Sequence, residues 1–414
     1  MRKPTVILIA GGQNSRFFPI NTTTHKGFLP LLGKPLVVRT IEDLHEQGFW
    51  DIVLVVSPND FQERGIEVEL SNYQLAVQPK IVVQESAKGQ GDAVLCAREH
   101  LTNDCILLSP YYTSAGVLAE KVWQAKQSGD SDCVFMGTKT ENTSLYGMLA
   151  FDPQNHNRVV GVVEKPEDNP PSNFRINSVY YLTKEFVEVL AQTPISEYSL
   201  EEALSTYAVA HNCSWVENTD TLASIKYAWH LFDCLSVLFE TAQNYISKSA
   251  TISSTALIDS KQGPVIIDDG ATIGDFVKIV GPCYVGKQAL IGDYSFVRGS
   301  TVEADATIGA YTELVRSIVL PHVSMHSCYI ADSIIGYNVK IGAGLITANK
   351  RFDRKEIQTQ IKGKMVDTAR KNLGTIIGSD TATGIGVKTM PGILIGSKQV
   401  IKPGEIVTRN IPHA

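Results

Sequence analysis

Residues 271–314 read ATIGDFVKIVGPCYVGKQALIGDYSFVRGSTVEADATIGAYTEL, and an aliphatic side chain returns along this segment in steps of six. The returning residues are Ile273, Ile279, Val285, Ile291 and Val297, followed by Val302, Ile308 and Leu314. A second run keeps the same step at Ile377, Thr383, Thr389, Ile395, Ile401 and Val407. A fixed short period of this kind indicates a repeat protein whose coils stack on one another.

Glycine follows the repeating aliphatic residue in many of these coils. The pairs are Ile273-Gly274, Val285-Gly286, Ile291-Gly292, Ile308-Gly309, Ile341-Gly342, Ile377-Gly378 and Ile395-Gly396. A hexapeptide period with small residues at the corners predicts a left-handed parallel β-helix, whose aliphatic side chains fill a prism-shaped interior. Residues 350–372, rich in Lys and Arg, interrupt the period and are predicted to leave the stack as a loop.

Up to about residue 215 the texture differs, because short β-branched runs alternate with amphipathic stretches. Strands are predicted at 6–10, 52–56, 81–83 and 106–108. Two stretches carry apolar residues at helical spacing, one from Leu36 through Thr40, Ile41 and Leu44 to a C-terminal cap at Gly48, the other over 93–100. The alternation predicts a parallel sheet with helices on both faces, and ligands bind such sheets at the carboxyl ends of the strands.

Between these two regions lies a further amphipathic segment. It carries Leu222, Ile225, Ala228, Leu231, Leu235 and Leu238 within residues 220–247. This spacing predicts a connecting helix. The predicted organisation is therefore an N-terminal domain over 1–219, a linker helix over 220–249 and a C-terminal domain over 250–414.

Composition limits the classes of function. The chain has 414 residues, of which 43% are hydrophobic and 19% charged, enough for two folded domains. A net charge of −6 argues against a nucleic-acid surface, and the apolar runs are too short to span a bilayer. Seven cysteines without CxxC pairing or metal-ligand spacing favour a reducing compartment. We therefore expect a cytoplasmic protein with neither nucleic-acid nor membrane partners.

The first predicted strand runs into a loop of small residues. Residues 8–19 read LIAGGQNSRFFP, and Lys26 and the run FLPLLGKPL over 28–36 follow. Glycine lets backbone N–H groups approach phosphate oxygens, and the cations of Arg16 and Lys26 are suited to neutralise a departing pyrophosphate. Taken together, these residues resemble the signature of sugar-1-phosphate nucleotidylyltransferases. The resemblance implies a Rossmann-like α/β nucleotidyltransferase domain in which Arg16 and Lys26 are catalytic.

Other segments follow the order of that family, and the resemblance assigns them by substrate. The nucleotide-binding residues it implies are Ala10, Gly11, Gly12, Gln84 and Gly89. The sugar-phosphate-binding residues it implies are Tyr146, Gly147, Glu164, Lys165 and Asn177. Taken alone, each of these residues also fits a purely structural role in a turn, at the start of a strand or in a solvated ion pair. Their shared order is what favours the functional interpretation.

Two departures from the family pattern bear on catalysis. Asn14 stands where the family has a glycine, and asparagine tolerates a left-handed backbone. Ser109-Pro110-Tyr111-Tyr112 stands where the family has Gly-Asp, the Asp being a Mg²⁺ ligand. The second metal ligand implied by the family is Glu217, with Asp220 as an alternative. Three outcomes stay open for the first domain: slow catalysis, a Mg²⁺ ion held mostly by the nucleotide, or nucleotide binding without catalysis.

A second group of residues lies in the repeats. Residues 325–333 read MHSCYIADS, residues 335–344 read IGYNVKIGAG, and Thr347-Ala348-Asn349 follow. These segments resemble the acetyltransferase half of bifunctional glucosamine-1-phosphate acetyltransferase/nucleotidylyltransferases, most closely the archaeal-type enzymes. The resemblance implies acetyl-CoA as co-substrate and a homotrimer in which neighbouring solenoids form the groove for acetyl-CoA.

The chemistry of acetyl transfer assigns roles to these residues. An ammonium cannot attack a thioester, so a neutral imidazole is needed to remove the proton, and His326 is the candidate base. Tyr329, Asn349 and Lys340 are candidates for holding the substrate, Lys340 also fitting a solvated position. Backbone N–H groups near Ala343 and Gly344 are candidates for stabilising the oxyanion.

The leading hypothesis is a two-domain enzyme of sugar-nucleotide biosynthesis. It would transfer acetyl from acetyl-CoA to an amino-sugar-1-phosphate and a nucleotidyl group from UTP or dTTP to a sugar-1-phosphate. The alternatives are an acetyltransferase with a degenerate first domain and a non-catalytic regulatory protein that binds sugar nucleotides. Discrimination between bases and between sugars rests on a few pocket contacts. The sequence therefore does not decide between UTP and dTTP, and it does not identify the sugar.

Overall fold

The computed structural model describes residues 2–12, 14–20, 25–63, 65–220 and 225–414. The chain divides into two compact units. The first comprises Met1–Gln13 and Leu36–Leu222, and the second comprises Asn14–Pro35 and Ala223–Ala414. The observed division differs from the predicted boundaries in two respects: residues 14–35 group with the C-terminal region, and residues 223–249 of the predicted linker belong to the second unit.

The first unit is built on a sheet of nine strands. In chain order they are β1 Thr5–Ala10, β2 Ile52–Val56, β3 Lys80–Val83, β4 Cys105–Leu108, β5 Cys133–Lys139, β6 Gly147–Asp152, β7 Asn155–Glu164, β8 Phe174–Leu182 and β9 Cys213–Glu217. Their order across the sheet is β3-β2-β1-β4-β8-β5-β9-β7-β6. The four strands predicted from the sequence are confirmed as β1 to β4.

The expectation of a parallel sheet holds for part of this unit. Strands β1 to β4 run parallel, with Val6 opposite both Ile52 and Ile106. Strand β8 is antiparallel to β4 and β5, and β6 and β7 form an antiparallel hairpin. The sheet is therefore mixed, because β6 and β7 are joined by a turn too short for a crossover helix. Strands β1, β2 and β4 end at the same edge.

Six α-helices are described in the first unit. They are α1 Leu36–Glu46, α2 Ile66–Ser71, α3 Gln90–Cys96, α4 Ala115–Ser128, α5 Lys184–Gln192 and α6 Ser199–Ala210. Short 3-10 helices are Arg98–His100 and Thr143–Leu145, and Asn59–Glu63 is a π-helix. Helix α1 buries the apolar residues that predicted it, and Gly48 lies beyond its end with a left-handed φ of 80°. Both predicted helical segments are thus confirmed.

The second unit is a parallel β-helix with three sheets of eight strands in the described residues. Sheet 1 contains Tyr245–Ile246, Val265–Ile267, Cys283–Val285, Thr301–Val302, Ile318–Val319, Ile334–Ile335, Ile376–Ile377 and Leu394–Ile395. Sheet 2 contains Thr251–Ile252, Thr272–Ile273, Leu290–Ile291, Thr307–Ile308, Ser324–Met325, Lys340–Ile341, Ala382–Thr383 and Val400–Ile401. Sheet 3 contains Leu257–Asp259, Lys278–Val280, Phe296–Arg298, Glu313–Val315, Tyr329–Ala331, Ile346–Thr347, Lys388–Thr389 and Ile406–Val407.

The six-residue period is confirmed as the interior of this β-helix. Ile273, Val285 and Val297 come from three different sheets, and all are buried in one apolar core. One residue per short strand points inward, so a step of six brings the chain from one sheet to the next. Threonine replaces an aliphatic residue at Thr383 and Thr389, which are also buried.

Three further segments belong to the second unit. Residues 350–372 leave the coils as predicted and form a hairpin of Gln358–Ile361 and Lys364–Asp367. Residues 14–35 include the 3-10 helices Ser15–Phe17 and Lys26–Phe28 and a two-stranded ribbon of Pro30–Leu31 and Lys34–Pro35. The predicted linker helix is shorter than expected: a 3-10 turn at Ala228–His230 leads into α7, Leu231–Thr241. Residue 242 is already extended and Tyr245 pairs with Ile266 of the next coil, while Leu222 lies outside the described residues.

Every helix in the described ranges falls short of the length and apolarity that a bilayer crossing requires. All seven cysteines are free thiols, and six of them are buried. Neither the β-helix nor the sheet of the first unit therefore depends on a disulfide.

Candidate active sites

In the first unit, the predicted nucleotide-binding residues meet at the edge where β1, β2 and β3 end. The Gln84 backbone N–H donates to the carbonyl of Val56, and its side-chain amide donates to the carbonyl of Gly89 at 3.1 Å and to Asp92 Oδ2 at 2.7 Å. A Cβ on Gly11 would lie 2.5 Å from Gln84 Oε1, so only glycine fits beside this amide. A Cβ on Gly12 would meet no described atom within 4 Å. The fold thus brings together Gly11, Gln84 and Gly89 next to Ala10, the buried last residue of β1. Gly12 faces open space.

The predicted sugar-phosphate residues form a second group around β6 and β7. Gly147 pairs with Glu164, and a Cβ on Gly147 would lie 2.7 Å from Glu164 Oε2. The Lys165 backbone N–H donates to the carbonyl of Tyr146, and Lys165 Nζ lies 2.6 Å from Glu164 Oε1. This carboxylate outweighs partial burial and raises the pKa of Lys165. The guanidinium of Arg175 covers the Tyr146 ring at 4.6 Å. Gly147 and Lys165 therefore adjoin the Glu164 carboxylate, and Tyr146 joins the group through the Lys165 backbone.

Asn177, the fifth of these residues, is buried where the register of β8 shifts against β5. Its side-chain amide donates to Thr138 Oγ1 at 2.8 Å, and that hydroxyl donates to the carbonyl of Asn218 at 3.3 Å. These bonds connect β8 to the end of β5 and to the residue that follows β9. They fix the orientation of the Asn177 amide.

Glu201, in the first turn of α6, is a candidate that the sequence did not single out. Burial raises the pKa of Glu201 from 4.5 to about 7, and the nearby Glu164 carboxylate adds to the shift. Its Oε2 is buried and has no hydrogen-bond partner among the described residues. Acidic residues are common in the first turn of any helix, so the sequence carried no signal that separates Glu201 from Glu202. A second carboxyl group therefore adjoins the sugar-phosphate group.

The segment after β4, where the resemblance predicts a metal-binding acid, is uncharged and mostly buried. Strand β4 ends at Leu108, and Ser109 and Tyr112 are buried beyond it. Burial raises the pKa of Tyr112, whose hydroxyl is hydrogen-bonded to Ser109. The ring of Tyr111 lies 5.5 Å from that of Tyr112. Two phenol groups thus lie beyond β4, where the resemblance led us to expect a carboxylate.

The residues present do not make a Mg²⁺ site by themselves. Glu217 ends β9 opposite Gly137 and is exposed, and the alternative ligand, Asp220, pairs with Lys121 at 2.6 Å. Across the residues that the structure describes, no group of three His, Cys, Asp or Glu side chains is arranged to hold a metal ion. Mg²⁺ requires several oxygen ligands in nearly octahedral geometry. We therefore derive no step through a metal.

The two residues predicted to be catalytic in nucleotidyl transfer, Arg16 and Lys26, lie in the second unit. Lys26 Nζ donates to the carbonyl of Ile225 at 2.5 Å. Arg16 lies in the 3-10 helix Ser15–Phe17, which follows Asn14. Asn14 has φ 49° and ψ 32°, which confirms that asparagine supplies a left-handed backbone here. The family resemblance assigns Arg16 and Lys26 to the same site as the small-residue loop after β1. In the structure, both residues belong to the compact unit that contains the β-helix.

The acetyl-transfer candidates lie on successive coils of the β-helix. His326 is exposed at the corner after Ser324–Met325, its backbone N–H donating to the carbonyl of Ile341. Lys340 is the strand partner of Ser324, so it too is close to this corner. The Gly344 N–H donates to the carbonyl of Ser327 at 2.7 Å, so it is engaged in coil stacking. Ala343 lies on the same corner, and no hydrogen bond from its N–H to a described residue is seen.

Tyr329 and Asn349 belong to a neighbouring group on sheet 3. The Asn349 amide donates to Asp332 Oδ2 at 2.5 Å. Arg316 donates to both oxygens of Asp332, and Tyr329 lies within electrostatic range of this guanidinium. The hydrogen-bonded Asp332 carboxylate raises the pKa of Arg316, and this effect outweighs the opposing effect of partial burial. Arg316 and Asp332 were missed because the pairing partners are 16 residues apart, on adjacent coils.

A cavity of about 600 Å³ opens beside this group within the second unit. Helix α7 contributes Phe232, Leu235 and Phe239 to its lining, and Arg316, Asp332 and Arg370 also line it. Arg370 also covers the Phe232 ring at 5.4 Å and pairs with Asp233 at 2.5 Å. The cavity thus combines an aromatic wall with two guanidinium groups.

Known proteins are similar to this chain over almost its whole length. A family model described as nucleotidyl transferase matches residues 5–230. A bifunctional sugar-1-phosphate nucleotidylyltransferase/acetyltransferase of Sulfurisphaera tokodaii is 30% identical, covering 98% of each chain. The bifunctional protein GlmU of Methanococcus vannielii is 30% identical over 98% of this chain and 95% of that protein.

Solved structures resemble part of this chain. An apo UDP-glucose pyrophosphorylase superposes with a TM-score of 0.50 at 20% identity, over 57% of this chain and 98% of that chain. A UTP-bound UGPase from Acinetobacter baumannii gives a TM-score of 0.50 at 18% identity, over 58% of this chain and 94% of that chain. At this identity the likeness concerns the fold alone.

Proposed function

This chain belongs to the family of bifunctional sugar-1-phosphate nucleotidylyltransferase/acetyltransferases, and on that premise we propose that it performs two successive steps of sugar-nucleotide synthesis. It acetylates an amino-sugar-1-phosphate with acetyl-CoA and then transfers a nucleotidyl group from UTP or dTTP to the product. The observation that carries the proposal is that predicted residues meet in two groups: Gly147 and Lys165 lie beside the Glu164 carboxylate, and Asn349 donates to Asp332.

For nucleotidyl transfer, an oxygen of the sugar phosphate attacks the α-phosphorus in line, and the bond to the pyrophosphate oxygen breaks. We assign the base of the nucleotide to Gln84 beside Gly11. We assign the sugar phosphate to the group around Glu164 and Asn177. Arg16 and Lys26 supply positive charge for the pyrophosphate, because a departing polyanion is stabilised by preorganised cations.

For acetyl transfer, His326 removes a proton from the amine of the acceptor as its nitrogen attacks the thioester carbonyl. The new bond joins nitrogen to the carbonyl carbon, and the carbon–sulfur bond breaks. The CoA thiolate then leaves and takes up the proton. The N–H of Ala343 is the candidate donor to the oxyanion, because Gly344 donates within the coil stack. We place the acceptor phosphate beside Arg316 and Arg370, since paired guanidinium groups are suited to bind phosphate.

A second candidate function is favoured by the segment after β4. Ser109 and Tyr112 in place of an acid fit an acetyltransferase whose first domain binds nucleotides without transferring them. A non-catalytic sugar-nucleotide-binding protein would lack the second activity as well. In both alternatives the Glu164 group still binds a sugar phosphate.

One substrate panel tests these functions. The purified chain is incubated with glucosamine-1-phosphate and acetyl-CoA, and separately with UTP or dTTP and several sugar-1-phosphates in Mg²⁺ or Mn²⁺. Release of both CoA thiol and pyrophosphate supports the bifunctional enzyme. CoA release alone supports the acetyltransferase, and neither product with retained nucleotide binding supports the regulatory protein.

Assembly and location stay predictions of the same proposal. A homotrimer would complete the groove for acetyl-CoA beside the exposed His326, and analytical ultracentrifugation measures the mass. A monomer would remove the second wall of that groove. The free cysteines fit a reducing cytoplasm.

A further inference from the structure

The second unit holds the segment that carries Arg16 and Lys26 through a buried carboxylate. Glu303 is 1% exposed, at the corner that follows Thr301–Val302 in sheet 1. Its Oε1 accepts from the Leu32 N–H at 3.0 Å, and its Oε2 accepts from the Gly33 N–H at 2.9 Å. The Thr301 hydroxyl also donates to Oε1, at 2.5 Å. Hydrogen bonds to a charged acceptor are about twice as strong as neutral ones.

The turn that Glu303 holds has an unusual backbone. Leu32 has φ 52° and Gly33 has φ 74°, between the strands Pro30–Leu31 and Lys34–Pro35. Leucine rarely adopts a left-handed conformation, which persists only where the surroundings enforce it. Successive N–H groups in such a turn converge on an anion. Here Glu303 is that anion, so it enforces the conformation of this turn.

The fit extends beyond the carboxylate. A Cβ on Gly33 would lie 2.1 Å from the hydroxyl of Tyr284, which itself donates to Asp268 at 3.0 Å. At the other end of the segment, Ser397 Oγ donates to the carbonyl of Pro19 at 3.3 Å. The ring of Phe18 meets the ring of His413 edge-on at 4.7 Å. The segment is therefore attached to two distant coils of the β-helix.

The coils themselves do not require an acid at this position. Strand pairing aligns Val302 with Val285 and Val319, so Glu303 is equivalent to Gly286 and Leu320. Later coils carry Gly336, Gly378 and Gly396 after the same strand. Burying a carboxylate is costly unless it is hydrogen-bonded. The acid at 303 thus serves the turn it binds and not the stacking of the coils.

We propose that Glu303 is a positioning residue for nucleotidyl transfer, acting by holding the Leu32–Gly33 turn of the segment that carries Arg16 and Lys26. The inference rests on the proposed function, because it assigns Arg16 and Lys26 to that reaction. The β-helix would then carry the acetyl-transfer residues and also hold the turn of the segment that bears Arg16 and Lys26.

The test compares Glu303→Ala and Glu303→Gln with Asp305→Asn, an exposed carboxylate on the same coil. We expect Glu303→Ala to lower kcat/KM for nucleotidyl transfer by roughly a hundredfold, as misplacement of catalytic groups by about 1 Å does. Glu303→Gln, which keeps one acceptor oxygen, should lose less. Acetyl transfer should stay within about twofold in all three variants, which also checks that the β-helix is folded.

Two further measurements separate positioning from a loss of stability. Hydrogen exchange of a peptide covering 28–36 should accelerate in Glu303→Ala and stay unchanged in Asp305→Asn. In a Lys26→Ala background, Glu303→Ala should cause little further loss, because the residue acts through this segment. If wild type transfers nucleotide and Glu303→Ala is equally active, the positioning role alone is overturned. A wild-type chain that transfers no nucleotide to any sugar phosphate would overturn both the role and the proposed nucleotidyl transfer.

Discussion

Arg316 donates from Nε and Nη2 to the two carboxylate oxygens of Asp332, each at 2.7 Å, across two adjacent coils of the β-helix. Asp332 is 9% exposed in its side chain, and its Oδ2 also accepts from the predicted substrate-binding residue Asn349. One carboxylate therefore orients both a guanidinium and an amide.

Replacing Asp332 with Asn should raise KM for the amino-sugar-1-phosphate by roughly tenfold to a hundredfold, the range expected when a charge-assisted bond is lost. We expect kcat to change less, because His326 is untouched. Steady-state assays of CoA release measure both constants. Asp353→Asn is the matched control, since Asp353 makes an equally short pair with Arg351 on the exposed insertion. Equal KM values for wild type and Asp332→Asn would contradict a role for this carboxylate in acceptor binding.

Replacing His326 with Ala should lower acetyl transfer by roughly 10²-fold to 10⁴-fold, the usual contribution of a general base. Pyrophosphate release and the mass of the assembly should be unchanged, because the side chain is exposed and its coil contacts are made by the backbone. His322→Ala is the control, since His322 is exposed on the same coil. Undiminished CoA release by His326→Ala would remove the general-base assignment.

Glu201 should make the stability of the first unit depend on pH. Burial raises its pKa to about 7, against 4.5 for the exposed group. Below about pH 4.5 the carboxyl is protonated in both the folded and the unfolded chain, so it does not lower the free energy of unfolding. As the pH rises from 4.5 to 7, the unfolded chain ionises first, and the folded state loses at most about 3 kcal/mol.

Glu201→Gln should therefore remove this loss, and urea midpoints at pH 5 and pH 8 measure it. The variant should gain stability over wild type at pH 8 and little at pH 5. Glu202→Gln is the control, because Glu202 is the exposed neighbour on the same helix. An identical pH dependence in wild type and Glu201→Gln would show that Glu201 is solvated.

Thr389→Val should stabilise the β-helix. The Thr389 hydroxyl is fully buried and has no hydrogen-bond partner among the described residues. Valine keeps the shape and removes the unsatisfied group, so we expect a gain of about 1 kcal/mol, or roughly 2–4 °C in Tm. Thr347→Val is the contrasting variant, since the Thr347 hydroxyl accepts from the Ala331 N–H at 2.9 Å. Thr389→Val should melt above wild type and Thr347→Val below it, as followed by calorimetry; the reverse order would contradict this account.

Much of the fold follows from local pattern. The step of six from Ile273 onward specified the interior of the β-helix, because each short strand places one side chain inward and the same choice recurs in every coil. Strands β1 to β4 and helix α1 were predicted for a similar reason: their periodicity is contained in a few consecutive residues. The antiparallel placement of β6, β7 and β8 was missed, since strand order depends on partners far apart in sequence.

The candidate sites were predicted only in part. Gly11, Gln84 and Gly89, and likewise Gly147, Glu164 and Lys165, were singled out by resemblance, and the structure brings each set together. Glu201 carries no distinguishing signal in its own segment, because burial by other elements raises its pKa. The oxyanion donors near Ala343 and Gly344 stay a prediction, and the Gly344 N–H bonds to the carbonyl of Ser327 in the coil before it.

The sequence by itself determined the two architectures, the six-residue period and the residue types available for two chemistries, since these depend on neighbours along the chain. Only the tertiary structure decided that Glu303 binds the turn at Leu32–Gly33 and that Asp332 joins Arg316 to Asn349. Glu303 lies about 270 residues from its partners. Contacts of this separation depend on how the coils stack and which backbone donors they leave near a buried carboxylate, which no local pattern encodes.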